Sequence, residues 1–519
     1  MSHATEQPEL SDAIVVGAGL TGLACAHELR QRGLRVHLLE ASGQVGGVVG
    51  TLDVGGFLFE SGPNTVPAGA RHVREAAAAL GVDAALITSR AEAKRRFLFQ
   101  HGGLHELPSG PMKLLRTPLL SRKAKRRLLS EPFRRFVPPS PADPEATFEE
   151  FLTERIGAEA TRTFAGAFVR GVYAAEIEDL GARSAFPRLW AMAAEHGGLI
   201  RGMMARGKAS RRAVKIAQKA GEAPLPGPPT SATDLLSFTG GFSVLVRGFE
   251  RALEGCISTH TPVAEIDRGP GGWRAVLESG EALACRELVL ATPAPVAYPL
   301  VSMCAPERLD LNALRDIDHA AVTAVHLGLE GAPLPPGFGF LVPPDEDARR
   351  DPRTPRVLGM LFISNIFDGR APSGTTSITA MFRGGAVAAL APDQLVDRAV
   401  VELEKALIGY SATHQDAPIR KARPRVVASH IQRWTHVIPR YGPGHTPRLQ
   451  ALEVSAGRML PGLHLAGSYT GGVSVDDRLK VGRETAMTIA GRLAHLSEKR
   501  AGAAARPGVR PAEESGEAS

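Results

Sequence analysis

Cysteine is scarce in this sequence, and the four cysteines stand far apart, at Cys25, Cys256, Cys285 and Cys304. Because none belongs to a C-x-x-C pair, the spacing argues against a cysteine metal site or a dithiol redox centre, and no metal ligands are predicted. Unpaired cysteines also fit a reducing compartment. Aromatic residues make up only 5% of the chain. With no stacking aromatic cluster and no nucleic-acid motif, no nucleic-acid partner is expected.

Long apolar runs are absent as well. No uninterrupted apolar stretch is long enough to cross a bilayer, and the polar residues 1–7 lack the apolar core of a signal peptide. We therefore expect a cytoplasmic protein, held peripherally at the inner face of the cell membrane if it meets a membrane at all. The 519 residues are enough for more than one domain. The composition is that of an α/β globular protein.

Residues 12–40 carry the pattern of a strand, a glycine-rich turn, a helix and a second strand. The turn is Gly17-Ala18-Gly19-Leu20-Thr21-Gly22. In such a turn the first glycine allows the tight bend, the second lets backbone approach a pyrophosphate, and the third lets the helix pack on the strand. Glu40 ends the second strand, where its carboxylate would accept hydrogen bonds from a ribose. The segment predicts a dinucleotide site without a ribose 2′-phosphate.

The residues after Glu40 indicate which dinucleotide binds. They run Ala41-Ser42-Gly43-Gln44-Val45-Gly46-Gly47-Val48, and the paired glycines would let backbone pass close to a second part of the cofactor. This arrangement suits the long, extended FAD molecule. The pattern resembles the FAD-dependent amine oxidase superfamily and does not resemble nicotinamide dehydrogenases.

Positive charge is concentrated in two segments, although the net charge of the chain is only +7. Residues 112–136 hold nine Lys or Arg against one acidic residue, and residues 199–220 hold seven against none. Apolar side chains, including Met203 and Met204, interleave with these cations. A solvated helical face would account for a charge run, but cations mixed with Leu, Met and Phe also suit anionic lipid headgroups. The sequence favours a peripheral membrane surface here.

Several blocks in chain order resemble the oxygen-dependent protoporphyrinogen oxidase family, over roughly residues 13–490. The blocks are Gly62-Pro63-Asn64-Thr65, Arg96-Phe97-Leu98, Arg170-Gly171-Val172-Tyr173, Gly337 to Pro343, Met381 ahead of Gly384-Gly385, and Ile438-Pro439-Arg440-Tyr441 with Gly444-His445. The resemblance implies that FAD oxidises protoporphyrinogen IX to protoporphyrin IX in haem or chlorophyll synthesis. It also implies that molecular oxygen reoxidises the flavin in three rounds, and that the protein is a homodimer.

The resemblance further implies an amine oxidase-like α/β fold. It would combine a Rossmann-like FAD-binding domain, a mixed-sheet substrate domain and a helical membrane-binding domain. The predicted FAD-binding segments are 11–91, 234–300 and 431–496, the substrate segments are 92–104 and 301–430, and the helical, basic segment is 105–220. A flexible linker is expected at 220–233 and a disordered tail at 497–519.

Site residues follow from the resemblance position by position. Arg96 would pair with a propionate, Phe338 and Leu341 would sandwich a pyrrole ring, Met381 would pack on the other side of the macrocycle, and Gly171 would offer backbone to a bridging carbon. For FAD the matching positions are Gly17, Ala18, Gly19, Leu20, Thr21, Gly22, Glu40, Ala41, Val48, Gly62, Pro63, Asn64, Thr65, Val263, Ser468, Val473, Ser474 and Val475. Without the resemblance, Phe338, Leu341 and Met381 read as core residues and Arg96 as a surface charge.

No catalytic acid or base is predicted, because His196, His319, His326 and Glu195 have no partner spacing that singles them out. Residues 475–480 are more charged than the resemblance leads us to expect, which would alter the flavin's surroundings. Three alternatives stay open: a coproporphyrinogen III oxidase of the same family, a desaturase or amine oxidase of the superfamily, and a membrane-associated flavoprotein that scaffolds a partner.

Overall fold

The structure is a computed structural model that describes residues 10–140, 143–220, 227–228, 233–269, 271–344, 357–414 and 423–504. Its strands, in chain order, are β1 (Ser11–Val16), β2 (Val36–Leu39), β3 (Thr51–Val54), β4 (Phe57–Glu60), β5 (Val66–Pro67), β6 (Leu86–Thr88), β7 (Phe97–Gln100), β8 (Gly103–Glu106), β9 (Leu235–Phe238), β10 (Ile257–Ser258), β11 (Val263–Gly269), β12 (Gly272–Leu277), β13 (Ala282–Leu290), β14 (His319–Glu330), β15 (Gly339–Leu341), β16 (Val357–Leu361), β17 (Thr375–Arg383), β18 (Arg425–Pro439) and β19 (Leu463–Leu465).

Helices connect these strands. Those from Pro111–Arg116 to Leu199–Ala220, between β8 and β9, form a separate helical region. Short 3-10 turns aside, they are Leu20–Gln31, Arg71–Ala79, Pro111–Arg116, Arg122–Leu129, Phe148–Ile156, Ala158–Ala160, the π-helix Thr161–Gly166, Ala167–Tyr173, Ala182–Ala185, Pro187–His196, Leu199–Ala220, Ser243–Ala252, Ala294–Cys304, Asn312–Arg315, Ile363–Ile366, Gly384–Val387, Pro392–Thr413, His445–Met459 and Val475–Ala504.

The first large sheet is built from distant parts of the chain. Strands β10, β2, β1, β13 and β19 run parallel, and β12 and β11 extend the sheet in antiparallel fashion from β13. The strand β1 is buried because its residues are apolar on both faces, as expected when helices cover both sides of a parallel sheet. On one side the helix Leu20–Gln31 meets Val475–Ala504 so closely that a Cβ on Gly482 would lie 2.3 Å from the carbonyl oxygen of Thr21.

The second large sheet has the order β18-β14-β17-β16-β15-β7-β8, antiparallel except where β15 runs parallel to β7. One face packs against the helix Pro392–Thr413. Register partners on that face are buried with the helix side chains: Phe340, Met360, Ala380 and Val325 with Leu395, Ala399 and Leu403. Because side chains alternate along a strand, the neighbouring residues face the opposite side, where the helix Ala167–Tyr173 lies.

The helical region has a core of its own, in which Phe136, Phe151 and Trp190 pack edge to face or tilted. The helix Phe148–Ile156 begins with a capping box, in which Thr147 and Glu150 each satisfy the other's backbone N–H. No helix among the described residues is long and apolar enough to cross a membrane.

The strands of the first sheet all come from the segments predicted for the FAD-binding domain, and the domain division itself stays a prediction. Two boundaries fall inside packed elements. Residues 430 and 431 lie within β18, and residues 300 and 301 lie within the helix Ala294–Cys304, beyond which Leu309 and Leu314 still join the core of the first sheet. The predicted disordered tail begins too early, since the last helix continues to Ala504. Residues 497–504 are mostly good helix formers, which explains the extension. Most of the linker 220–233 and the tail beyond 504 lie outside the described residues.

Candidate active site

The turns that follow β1, β13 and β19 meet at the carboxyl edge of the first sheet. A Cβ on Gly17 would lie 3.1 Å from the carbonyl oxygen of Ala291, and one on Gly467 would lie 2.3 Å from that of Thr292. Ligands of open α/β sheets bind in the crevice at this edge. The predicted cofactor residues after β1, β2 and β19 are therefore brought together by the topology.

The glycine-rich turn has the geometry that its spacing predicts. Gly17 has φ +98°, a conformation that favours glycine, and a Cβ on Gly22 would lie 1.9 Å from the Gly17 carbonyl oxygen. Among the described residues, and apart from Gly19 itself and its chain neighbours, no heavy atom lies within 4 Å of the Cβ position of Gly19. The helix then begins at Leu20 without a side-chain cap, so the first-turn N–H groups, including that of Thr21, have no side chain to bind. Open space thus lies over a helix N-terminus.

The carboxylate of Glu40 lies at this turn. One oxygen accepts a hydrogen bond from the backbone N–H of Ala18 at 2.8 Å, and the other accepts from the N–H and the hydroxyl of Ser42 at 2.9 and 2.8 Å. Ala41 links the two residues in the chain. The backbone N–H of Thr261 donates to the Glu40 carbonyl at 2.8 Å, which brings the chain towards Val263 at the start of β11.

The second pair of glycines packs against the first turn. Gly46 and Gly47 have φ +107° and +61°, and the N–H of Gly46 donates to the Ala18 carbonyl at 2.8 Å. A Cβ on Gly62 would lie 2.3 Å from the carbonyl oxygen of Val48, so the segment of residues 62–65 lies alongside. Its residues Gly62, Pro63, Asn64 and Thr65 are all partly exposed.

The third cofactor segment is the turn before the last helix. Ser474 caps this helix, because its hydroxyl accepts from the N–H of Asp477 at 3.1 Å. The hydroxyl of Tyr441 donates to the Ser468 carbonyl at 2.5 Å and accepts from the N–H of Gly472 at 3.2 Å. These bonds hold both ends of a turn that continues through Val473 to Val475.

The charged residues at 475–480 stabilise this turn. The guanidinium of Arg478 is buried and donates to the carbonyls of Gly467, at 2.6 Å, and Thr470, and burial lowers its pKa. Asp476 accepts from the N–H of Val73 at 3.1 Å, at the start of the helix Arg71–Ala79. The departure seen in the sequence therefore anchors backbone in this region.

The crevice fits a dinucleotide cofactor. The amide oxygen of Asn64 and the hydroxyl of Thr292 are buried and have no hydrogen-bond partner among the described residues. Thr292 lies beside Gly17 at the carboxyl edge of the sheet, and Asn64 belongs to the segment that lies alongside Val48. Unsatisfied buried polar atoms call for a partner. Glycine-rich backbone, a free helix N-terminus and these two groups are the features that such a cofactor uses.

Three of the predicted substrate residues come together on the face of the second sheet that lies opposite the helix Pro392–Thr413. Leu341 pairs with Gly359, and Gly359 pairs with Met381, so Leu341 and Met381 project from the same face two strands apart. Gly171, on the helix Ala167–Tyr173, lies against them: a Cβ there would come within 2.2 Å of Cδ2 of Leu341. The second sheet therefore presents an apolar face, formed by Leu341 and Met381, to the helix that carries Gly171.

Arg96 and Phe338 form a separate pair at the edge of this face. The guanidinium carbon of Arg96 lies 5.3 Å from the centroid of the Phe338 ring. Its neighbours have acidic partners: Lys94 with Asp234 at 3.3 Å, and Arg95 with Glu106 at 3.2 Å. Arg96 is exposed and, within the part of the chain that the structure describes, forms no ion pair. It is therefore available to a carboxylate ligand.

The histidines considered in the sequence have structural surroundings. His326 is fully buried, its Nδ1 lies 2.9 Å from the Thr379 hydroxyl, and burial lowers its pKa to about 3. His319 contacts the Ile317 carbonyl through Nδ1 at 3.2 Å, and burial lowers its pKa as well. Among the described residues, no three His, Cys, Asp or Glu side chains come together as metal ligands.

Sequence reasoning missed several residues of the site. Thr292 follows β13 and lies beside Gly17, and the only signal for it was the Thr-Pro step after the strand. Gly359 pairs with both Leu341 and Met381, but nothing in the sequence marks it as a residue of the site. The buried pair Glu60 and Arg370 had no signal at all, because each residue alone looks like an ordinary surface charge.

The fold and site define an FAD-type dinucleotide-binding oxidoreductase with a second large sheet. The chain belongs to the flavin containing amine oxidoreductase family, whose pattern matches residues 20–490. This confirms the predicted amine oxidase-like fold class and the predicted cofactor, FAD. The helical membrane-binding domain remains a prediction.

Individual relatives agree with the resemblance seen in the sequence. Human protoporphyrinogen oxidase is 29% identical over 92% of this chain and 98% of its own length. Coproporphyrinogen III oxidase of Bacillus subtilis (strain 168) is 22% identical over 91% of this chain and 96% of its own length. A crystal structure from Exiguobacterium sp. 255-15, provisionally named a protoporphyrinogen oxidase, shares the fold with a TM-score of 0.74 at 22% identity, covering 93% and 99% of the two chains.

Proposed function

We propose that the protein oxidises protoporphyrinogen IX to protoporphyrin IX in haem or chlorophyll synthesis, with FAD as cofactor and molecular oxygen as the final acceptor in three rounds. The observation that carries the proposal is the unpaired Arg96 at the edge of an apolar face that presents Leu341 and Met381. An apolar tetrapyrrole macrocycle with propionates on one side matches that distribution of charge. The names of the relatives support the same substrate.

The residues of the chain would bind and orient the cofactor and the substrate. Residues 17–22, Glu40 and the turn of residues 468–475 would hold the cofactor, and the chemistry that FAD supplies when bound is the acceptance of a hydride. Leu341, Met381 and Gly171 would position the macrocycle and exclude water from it. Arg96 would fix its orientation through a carboxylate. No side-chain acid or base is required by this assignment.

Coproporphyrinogen III is the second candidate substrate, favoured by the Bacillus subtilis relative. This molecule carries two more propionates, so it would need further cations around the apolar face. Arg383, two residues beyond Met381 on β17, is the nearest one along that strand, but it already donates to Glu176 at 2.7 Å. That pairing favours protoporphyrinogen IX.

The proposal also includes peripheral association with the inner face of the cell membrane. Its support is the helical region, where basic segments 112–136 and 199–220 carry exposed apolar side chains. These side chains include Met112, Leu115, Phe133, Met203 and Met204. Recovery of the protein with washed membranes, and its release by salt, would test this part.

Porphyrin fluorescence under air tests the activity. Purified protein with bound flavin would be given protoporphyrinogen IX and coproporphyrinogen III side by side. Faster formation of protoporphyrin supports the proposal, and preference for coproporphyrin would move the protein to the second candidate. Flavin without either activity would refute both. Repeating the assay without oxygen tests the acceptor, since turnover should then stop after the bound flavin is reduced.

A further inference from the structure

A cavity of about 350 Å³ lies in the helical region, away from the cofactor crevice. Its lining comes from residues 135–138, residues 194–197 and Arg201. The N–H of Phe136 donates to the Gly197 carbonyl at 2.9 Å, which joins the two segments. Arg135 and Arg201 approach the same point, because a Cβ on Gly197 would lie 3.6 Å from Cγ of Arg135 and 3.9 Å from Nη1 of Arg201.

The buried carboxylate of Glu131 fixes this arrangement. It is fully buried and accepts from the backbone N–H groups of Leu199 at 2.7 Å and Ile200 at 3.0 Å, at the start of the helix Leu199–Ala220. The guanidinium of Arg155 lies 3.6 Å from the same carboxylate. Glu131 thereby holds the basic segment 112–136 against the basic helix of residues 199–220.

The charge of the cavity is available to a ligand. Neither Arg135 nor Arg201 forms an ion pair with another described residue. Glu195 also lines the cavity, together with His196, so the two guanidinium groups exceed the carboxylate by one charge. Two guanidinium groups that line one cavity match a phosphate in charge and as hydrogen-bond donors.

Exposed apolar side chains stand beside the same cavity. Phe133 is 84% exposed and Val137 is 73% exposed. Met203 and Met204, in the first turns of the helix that starts at Leu199, are also exposed. Cations flanked by protruding apolar side chains match the boundary between headgroups and acyl chains of a bilayer, and a soluble anion would gain nothing from the apolar part.

We propose that this cavity binds the phosphate of an anionic phospholipid, with Arg135 and Arg201 as ligands and Phe133 and Val137 entering the acyl boundary. The inference rests on the membrane association proposed above and specifies its chemistry. Binding at this cavity would recognise a headgroup phosphate specifically, which differs from the general attraction of a basic surface to a negative bilayer.

Vesicle flotation of the full-length, flavin-loaded protein tests the proposal. The vesicles contain phosphatidylcholine alone, phosphatidylcholine with phosphatidylglycerol, or phosphatidylcholine with oleate at the same surface charge, where the added anion is a carboxylate and not a phosphate. The variant Arg135→Ala/Arg201→Ala is compared with Arg122→Ala/Arg126→Ala, which removes the same charge from exposed positions on the helix Arg122–Leu129. Flavin absorbance and the thermal midpoint check that both variants fold.

The cavity variant should lose about tenfold more affinity for phosphatidylglycerol vesicles than the control variant, because it also loses charge-assisted hydrogen bonds. On oleate vesicles the two variants should behave alike. Equal losses on phosphatidylglycerol would overturn the cavity assignment and leave membrane association intact. Absence of binding to all vesicles would refute both, without bearing on the oxidase activity.

A second experiment, with inorganic phosphate, tests whether the cavity binds soluble phosphate. We expect it to leave the thermal midpoint of the wild-type protein unchanged in the absence of vesicles. Stabilisation of the wild type, but not of Arg135→Ala/Arg201→Ala, would overturn the lipid assignment and make the cavity a site for soluble phosphate.

Discussion

Glu60 and Arg370 form a buried ion pair between the two halves of the protein, with Oε1 of the carboxylate 3.4 Å from Nη1 of the guanidinium. Glu60 ends β4, just before the predicted cofactor residues 62–65, and also accepts from the Thr51 hydroxyl at 2.7 Å. Arg370 comes from the loop before β17 and donates to the Ser237 hydroxyl at 2.6 Å. The pair therefore ties the cofactor segment to the substrate sheet.

Removal of the Arg370 guanidinium should destabilise the folded protein. Arg370→Ala would leave the buried Glu60 carboxylate without its cation and the Ser237 hydroxyl and the Phe238 carbonyl without their donor, and we expect the free energy of unfolding to fall by about 3–5 kcal/mol. Urea unfolding followed by flavin fluorescence measures this. Arg425→Ala, which breaks an exposed pair with Glu330, is the matched control and should cost less than about 1 kcal/mol. Equal costs would show that the buried pair has no special role.

Stability should depend on pH through Glu60. Burial raises the pKa of this carboxyl from 4.5 to about 7, against the opposing effects of Thr51, Arg370 and the Phe242 N–H. The folded protein therefore binds this proton more tightly than the unfolded chain. The contribution of Glu60 to the free energy of unfolding is complete below pH 4.5 and is lost as pH rises through about 7. Glu60→Gln should remove this decline, which by the shift amounts to about 3 kcal/mol. The measurement is the free energy of unfolding of both proteins from pH 5 to 8. If the two pH profiles stayed parallel, the assignment to Glu60 would be contradicted.

The cofactor turn was predictable because its information is local. Gly17, Gly19 and Gly22 lie within one turn, and the backbone angles and close approaches that their spacing requires are determined by neighbouring residues. The end of the last helix was misjudged for the opposite reason: helix-forming residues after Leu496 were read as low complexity, although they continue the helix to Ala504.

The substrate face was predictable only through family resemblance. That Leu341 and Met381 share a face depends on the register of three strands, and Gly359 in the middle gives no sign of it in the sequence. Glu60 and Arg370 meet only after the chain has folded, and neither has local neighbours that would mark it as buried. Contacts between distant segments depend on tertiary packing, which residue spacing does not encode.

Two glycines of the cofactor turn should respond differently to alanine. Gly22→Ala places a Cβ 1.9 Å from the Gly17 carbonyl, so the helix must shift and both folding and flavin binding should suffer. Gly19→Ala meets no protein atom within 4 Å and has φ −68°, which alanine adopts readily. Its methyl group would occupy only the space left for the cofactor. We expect Gly19→Ala to keep the thermal midpoint of the flavin-free protein and to lose flavin. Retention of full flavin by Gly19→Ala would remove this turn from the cofactor site.

Arg96 should act through a substrate carboxylate and nothing else. Arg96→Ala is expected to raise KM for protoporphyrinogen IX about tenfold or more, since a charge-assisted hydrogen bond contributes about 1.5–3 kcal/mol, while the thermal midpoint stays unchanged because the side chain is exposed. The dimethyl ester of the substrate lacks the carboxylates, so wild type and variant should have the same KM for it. Arg95→Ala is the control, because Arg95 already pairs with Glu106 and should not discriminate between acid and ester. If Arg96→Ala lowered activity equally on acid and ester, the side chain would serve packing against Phe338, and the propionate assignment would fall.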